Sequence, residues 1–369
     1  MSSFSADDAH RTWNNPMPVE DNQEDVISML RRSAAAVTRV DGGLRRVRRL
    51  RFQQLSYAPP LLCEMAQMGW TGLLVAEEAG GSGLGMRGLC ALLEELGRSL
   101  VPEPLAEAAV VAPFLTGQIG EDHRAGATLV LPALHESAND LQQSSETRFA
   151  EGRVSGCKQF ILGAAGASAF LVSAKDRLVL VRRDAEGVRL ELSPTVDGGS
   201  FGTLTLDNAQ AEPITGNPVQ LLDACAMATS GYLLGVMEAA LILTVEYLKV
   251  RVQFGRPIGA FQALQHEAAD MKILLELARA GIESAAAVYD GAAPQALRSA
   301  AVSRAKARAS EASVQIAKEA IQLHGAIGYT DEHDIGLYLR KAMTLSNLYG
   351  SSRSHRARFA SLQPQDEPD

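Results

Sequence analysis

Aromatic residues are scarce in this chain, with ten Phe, seven Tyr and two Trp making 5% of 369 residues. Set against 46% hydrophobic residues, many of them Ala and Leu, so few rings favour a mainly helical soluble protein. Cysteine is sparse as well: Cys63, Cys90, Cys157 and Cys225 stand far apart with no Cys-x-x-Cys pair. They read as buried free thiols of a reducing compartment, and no metal site is expected. Positive charge is in deficit, 35 Lys and Arg against 43 Asp and Glu for a formal charge of −8, which argues against nucleic acid as a partner. No uninterrupted apolar run reaches the roughly 18 residues of a membrane span, and the start, Met1 to Asp8, lacks a charged region followed by an apolar core. A cytoplasmic protein without a membrane partner is the expectation.

What is present is length enough for two or three domains and a change of period along the chain. Residues 1–22 are polar with two prolines and read as a tail. Over 23–126 the pattern is helical: Ile27, Leu30, Ala34 and Val37 recur at helical spacing, as do Leu61, Met65 and Met68, then Leu89, Leu92, Leu93 and Leu96. The cluster Gly80, Gly81, Gly83 and Gly85 lacks the Lys-Ser/Thr of a phosphate loop and reads as a structural turn. Basic clustering in Arg45-Arg46-Val-Arg-Arg-Leu-Arg51 reads as the solvated face of a helix. Between 127 and 215 short runs at Thr128, Arg153, Phe160, Ala169, Arg177, Val188 and Gly202 alternate with turn residues, the pattern of a small antiparallel barrel or sandwich. From 216 to 362 the pattern is again helical and fits a four-helix bundle, and 363–369 is an acidic end read as disordered. The fold class is therefore α+β: helices, then strands, then helices.

The most specific stretch is Arg251-Val-Gln-Phe-Gly-Arg-Pro-Ile-Gly-Ala-Phe-Gln262, between two long helical runs. Pro257 and the glycines break the helix into a corner that offers a guanidinium, aromatic rings and carboxamides, groups suited to a flat ligand with a phosphate tail. It resembles the flavin-binding signature of the acyl-CoA dehydrogenase family. Gly69 to Leu84 resembles that family's N-terminal segment, and Gln322-Leu-His-Gly-Ala-Ile-Gly-Tyr-Thr-Asp-Glu-His333 its C-terminal flavin segment; the likeness covers roughly residues 25 to 362. It implies an N-terminal helical domain, a middle β domain and a C-terminal four-helix bundle. It also implies FAD as cofactor, contacted by Arg251, Gln253, Phe254, Ile258, Phe261, Gln322 and Gly325. Gly156-Cys-Lys-Gln-Phe-Ile161 resembles a further segment in which Phe160 replaces the usual tryptophan against the flavin. The loop that usually holds the flavin ring and the thioester is replaced by Leu131-Pro-Ala-Leu-His-Glu-Ser-Ala-Asn-Asp140.

Family members remove a proton alpha to a thioester with a carboxylate while the beta hydride passes to the flavin. One family station for this base lies nine residues after the arginine of the last but one helix, which from Arg340 gives Tyr349 (340 + 9). A second lies 26 residues before the corner arginine, giving Cys225 (251 − 26), and a third follows the glycine of the terminal motif, giving Ser351. None is a carboxylate, so no catalytic residue is assigned. Asp223 lies two residues from the second station; Glu238 and Glu246 read as helix-surface acids.

In the family the corner of one subunit reaches the flavin of its neighbour. Retained flavin residues without a base imply the base-lacking subunit of an α2β2 acyl-CoA dehydrogenase like those of bacterial steroid side-chain degradation. Its expected partners are a second dehydrogenase-like subunit carrying the base, an acyl-CoA substrate with a bulky acyl group, and an electron-transfer flavoprotein as acceptor. The alternatives are a homomeric flavoenzyme with an unrecognised base or flavin oxygenase chemistry, and a non-catalytic structural homologue.

Overall fold

A computed structural model describes residues 19–40, 43–138, 141 and 146–363. The expectations for residues 1–18 and 364–369 lie outside the described residues, whereas residues 19–22, read as tail, already belong to the first helix. Six helices come first: α1 (Val19–Val40), α2 (Gly43–Leu50), α3 (Pro59–Gln67), α4 (Gly85–Arg98), α5 (Leu105–Val111) and α6 (Gly117–Arg124). Ala34, Leu61, Met65, Leu89, Leu92, Leu93 and Leu96 are buried, as the helical spacing requires. The glycine cluster is the expected turn: Gly80, Gly83 and Gly85 have positive φ, and a Cβ on Gly81 would lie 2.1 Å from the Val75 carbonyl oxygen.

The basic run is a solvated face only in part: Arg45 and Arg49 are exposed, but Arg46, Arg48 and Arg51 are paired. Arg46 is buried in a two-pronged pair with Glu103, at 2.7 and 2.9 Å, while Arg48 and Arg51 cross to Asp334 and Asp331 near the C-terminal end of the chain. Acids distant in sequence reach α2 only in the folded chain, so local composition gave no sign of them.

The middle of the chain forms two four-stranded sheets packed face to face, a sandwich without barrel closure. One sheet has the order β1 (Val130–Ala133), β4 (Ala169–Ala174), β5 (Arg177–Arg182), β8 (Glu212–Ile214), and the other β2 (Arg148–Ala150), β3 (Arg153–Leu162), β7 (Ser200–Gln210), β6 (Val188–Pro194). Leu131, Val154, Phe170, Val172, Leu204 and Leu206 fill the space between them. Two details differ from the sequence reading. β1 and β4 pair in parallel, and the runs at Arg153 and Phe160 belong to one strand, whose register slips between Val154 and Gly156 and again between Lys158 and Ile161. Phe160 has φ +58 at the second slip. A bulge breaks the period of two and re-aims a side chain, so one strand reads as two.

The remainder is helical: α7 (Pro218–Val250), α8 (Gln262–Asp290), α9 (Gln295–His324), α10 (Ala326–Tyr329), α11 (Ile335–Ser346) and α12 (Ser352–Ser361). α7 starts where Asn217 accepts a hydrogen bond from the Val219 amide at 2.8 Å, with Pro218 in the first turn. Its sides are buried almost all round against α4, α8, α9 and α11. α4 crosses α7 at glycines: a Cβ on Gly235 would sit 1.9 Å from the Glu94 carbonyl oxygen, and one on Gly97 2.1 Å from that of Tyr232. Among the described residues no helix is long and apolar enough to cross a membrane.

Candidate active site

The corner after α7 is a two-residue hairpin in which Val252–Gln253 pairs with Arg256–Pro257, closed by Phe254 and Gly255, both at positive φ (+53 and +78). A phenylalanine in the left-handed region costs energy that local packing does not return, because Phe254 is 91% exposed. Ile258 and Phe261 are half-buried at its base, where the Arg256 guanidinium lies 4.1 Å from the Phe261 ring centre. Arg251 and Gln253 are exposed, and although the Arg251 backbone bonds to Tyr247 and Ile258, its guanidinium has no hydrogen-bond or ion-pair partner among the described residues. The second segment is presented in the same way: Gln322 and Gly325 are exposed, and Tyr329 beside them is 78% exposed. Tyr247, one turn before the corner, stacks on His324 at 4.4 Å, so the two segments are tied together through their rings. All seven residues named for FAD therefore lie on tied surface segments that turn outward from their own chain. A projecting ring and an uncommitted guanidinium suit a flat ring and a diphosphate, so the residues present fit FAD.

A second region gathers around Phe160 and Tyr349, 189 residues apart in sequence (349 − 160). They line one cavity of about 480 Å³ with His135, Phe201, Thr344 and Asn347. Phe160 and Phe201 meet edge to face at 5.9 Å, and the His135 ring leans over Tyr349 at 5.7 Å. Of the polar groups in the 131–140 loop, His135 and Ser137 line this cavity and Glu136 is engaged elsewhere. Glu136 accepts from the buried Lys158 ammonium at 2.7 Å and from the Thr147 amide and hydroxyl at 3.0 and 2.6 Å. Asn139 and Asp140 lie outside the described residues.

None of the three base stations carries a carboxylate. Tyr349 and Cys225 are both buried, 3% and 1% exposed, and interact electrostatically. Burial pushes both groups well above their ordinary values, so neither is poised to accept a proton near neutrality. Ser351 caps α12, accepting from the Ser354 amide at 3.2 Å. Asp223 is fully buried and committed to Arg358 at 2.6 Å, Ser299 at 2.6 Å and Gln295 at 2.9 Å, which anchors α7 to α9 and α12. Glu246 is the expected surface acid, paired with Lys249. Glu238 is not: it is half-buried in a network with Arg98 and Arg279.

The residue missed from sequence is Glu107, on α5. It is 4% exposed, its Oε1 lies 3.5 Å from the Tyr349 hydroxyl, and burial raises its pKa from 4.5 to about 7. A lone acid within Leu105-Ala-Glu-Ala-Ala-Val-Val111 is an available signal, since an apolar helix buries what it carries.

Residues 219–361 match the family model for the acyl-CoA dehydrogenase C-terminal domain, and residues 22–117 that for the acyl-CoA dehydrogenase N-terminal domain. The chain is 33% identical to acyl-CoA dehydrogenase IpdE2 of Mycolicibacterium smegmatis, over 90% of this chain and 96% of that protein. It is 31% identical to acyl-CoA dehydrogenase FadE34 of Mycobacterium tuberculosis, over 82% of this chain and 42% of that protein. Among solved structures, the Tcur3481-Tcur3483 steroid ACAD, solved as a variant, superposes with a TM-score of 0.85 and 29% identity, covering 92% of this chain and 98% of that one. The ChsE4-ChsE5 complex of Mycobacterium tuberculosis shares the fold, with a TM-score of 0.82 at 23% identity over 92% of this chain and 98% of that one. With both terminal domains matched and a full-length relative at one-third identity, the chain belongs to the acyl-CoA dehydrogenase family.

Proposed function

We propose that this chain is one subunit of an FAD-dependent acyl-CoA dehydrogenase that introduces an alpha,beta double bond into an acyl-CoA thioester, and that it completes a partner's FAD site without supplying the base. The observation that carries this reading is the contrast between the two regions. The corner presents Arg251, Gln253 and Phe254 outward to a group held elsewhere, while the position opposite Phe160 is a buried tyrosine. FAD, when bound, accepts the hydride equivalent. Arg251 balances diphosphate charge, Phe254 and Phe261 stack, and Gln253, Ile258, Gln322 and Gly325 complete the surface. The carboxylate that takes the alpha proton comes from the second subunit, in an α2β2 assembly with two sites. Similarity to the Tcur3481-Tcur3483 steroid ACAD supports a bulky, steroid-derived acyl group. An electron-transfer flavoprotein is the acceptor, and the cytoplasm is the location.

Coexpression with a second acyl-CoA dehydrogenase-like chain that carries the carboxylate tests this. The lone chain is expected to be colourless, and the pair to carry one flavin per two chains and bleach with acyl-CoA. A second reading, a homomeric flavoenzyme with its own base, is favoured by Glu107 behind Tyr349; it requires a yellow lone chain that bleaches. Absence of flavin under either condition points to a structural homologue.

A further inference from the structure

Of two separate cavities, one is lined by Tyr349 and the other by Glu107, which Tyr349 contacts. The outer one, about 480 Å³, is that of Phe160 and His135. The inner one, about 40 Å³, is walled by Leu96, Glu107, Leu162, Thr229, Lys341 and Leu345, and has room for a water molecule or two but not for a hydrocarbon chain. Neighbouring positions on the same elements line the two. On β3 Phe160 belongs to the outer and Leu162 to the inner cavity; on α11 Met343 and Thr344 belong to the outer, Lys341 and Leu345 to the inner. Tyr349 lines the outer cavity only and meets the inner one through Glu107, which its hydroxyl reaches at 3.5 Å.

The turn beneath the ring is clamped. Tyr349 has φ +56 and Gly350 φ +108, where a Cβ would lie 2.6 Å from Leu141 and 2.8 Å from His355. His355 Nε2 donates to the Tyr349 carbonyl at 2.9 Å. The buried Lys306 ammonium donates to the carbonyls of Ser346 and Gly350 at 3.0 and 3.3 Å. Burial lowers Lys306 to about 7 and His355 to about 3, so neither adds a full charge above neutrality and both remain donors to this turn. The phenol is therefore held in place by its backbone as well as by Glu107.

We propose that Tyr349, latched to Glu107, is a closed gate that denies the inner cavity to an acyl chain, making it a specificity-determining residue that keeps this subunit's own half-site from taking acyl-CoA. The inference rests on the reading of the chain as the base-lacking subunit and deepens it. A missing base explains why no alpha proton leaves at this station; the gate explains why no acyl chain settles there. A chain placed at Tyr349 must put the carbons beyond the reacting one somewhere, and the void on the far side is shut.

The test is equilibrium dialysis of butanoyl-, hexanoyl- and octanoyl-CoA against the full chain, with melting curves by circular dichroism. The wild type is expected to show no gain with chain length, whatever weak binding the CoA moiety gives staying within about twofold across the three. Tyr349→Asn and Tyr349→Gly remove the ring and both tolerate positive φ. Each is expected to gain about fourfold per methylene that enters the opened cavity, and so at least tenfold from butanoyl to octanoyl. Glu107→Ala removes the latch and widens the inner cavity without touching the turn, and is expected to gain in the same sense. A tenfold gain already present in the wild type overturns the gate, as does a flat series in whichever of these variants melts as the wild type does. Flavin per chain in the coexpressed pair is read separately: a departure from one per two chains sinks the partner reading, while the chain-length series still judges the gate.

Discussion

Glu107 is the residue whose chemistry is most altered by its place. Its folded-state pKa of about 7 lies above the ordinary 4.5, so the folded chain keeps this proton longer than the unfolded one. The stability it contributes is complete below about pH 4.5 and is lost as the pH rises through 7. Glu107→Gln cannot ionise, and is expected to gain on the order of 3 kcal/mol relative to wild type between pH 5 and pH 8, read from denaturant midpoints at the two values. At Phe254 the opposite holds, because a side chain 91% exposed has little packing to lose. Phe254→Ala should leave the lone chain within about 0.5 kcal/mol of wild type and yet reduce the flavin retained by the coexpressed pair. Equal retention by wild type and variant would remove Phe254 from the cofactor surface.

At the scale of elements, one close contact joins the N-terminal helices to the C-terminal bundle and another ties two N-terminal segments together. The crossing of α4 and α7 depends on glycines that let backbone meet backbone, and Gly235→Ala forces a Cβ to within 1.9 Å of a carbonyl oxygen. A helix must move, so a loss of about 3 kcal/mol or more is expected in urea denaturation. The pair of Arg46 and Glu103 pins α2. Arg46→Ala leaves a buried carboxylate without its countercharge, for an expected loss of about 3–5 kcal/mol. The double replacement Arg46→Met with Glu103→Leu removes both charges and should recover most of that. Sequence conveyed these elements unequally. The helical character of 23–126 was visible from its period, and a barrel or sandwich from the turns. The parallel pairing of β1 with β4 was not, since pairing direction is set by which strands the chain brings together.

For the whole molecule, the distribution of exposure is the informative property. Phe254 and Tyr329 of the flavin-like segments are exposed on the surface, while two of the three base stations, Tyr349 and Cys225, are buried. A chain built in this way is expected to show its chemistry only in company. Mixing separately purified subunits should restore acyl-CoA-dependent bleaching, and Arg251→Ala in this chain should abolish flavin retention by the pair while leaving this chain's own melting temperature nearly unchanged. Retention of flavin by that variant would place the diphosphate contact elsewhere.

By itself the sequence determined the order of helical, strand-rich and helical segments, because side-chain periodicity is a local property. It also determined which residues form the corner, and the absence of a carboxylate at three positions, since spacing along a chain needs no coordinates. Only the tertiary structure decided that Arg46 is buried, that Asp223 is an anchor, and that Phe160 and Tyr349 share a cavity. It alone placed Glu107 behind the tyrosine. Each of these turns on partners far apart in the chain. Burial and pairing are properties of the space between elements, which no local pattern encodes.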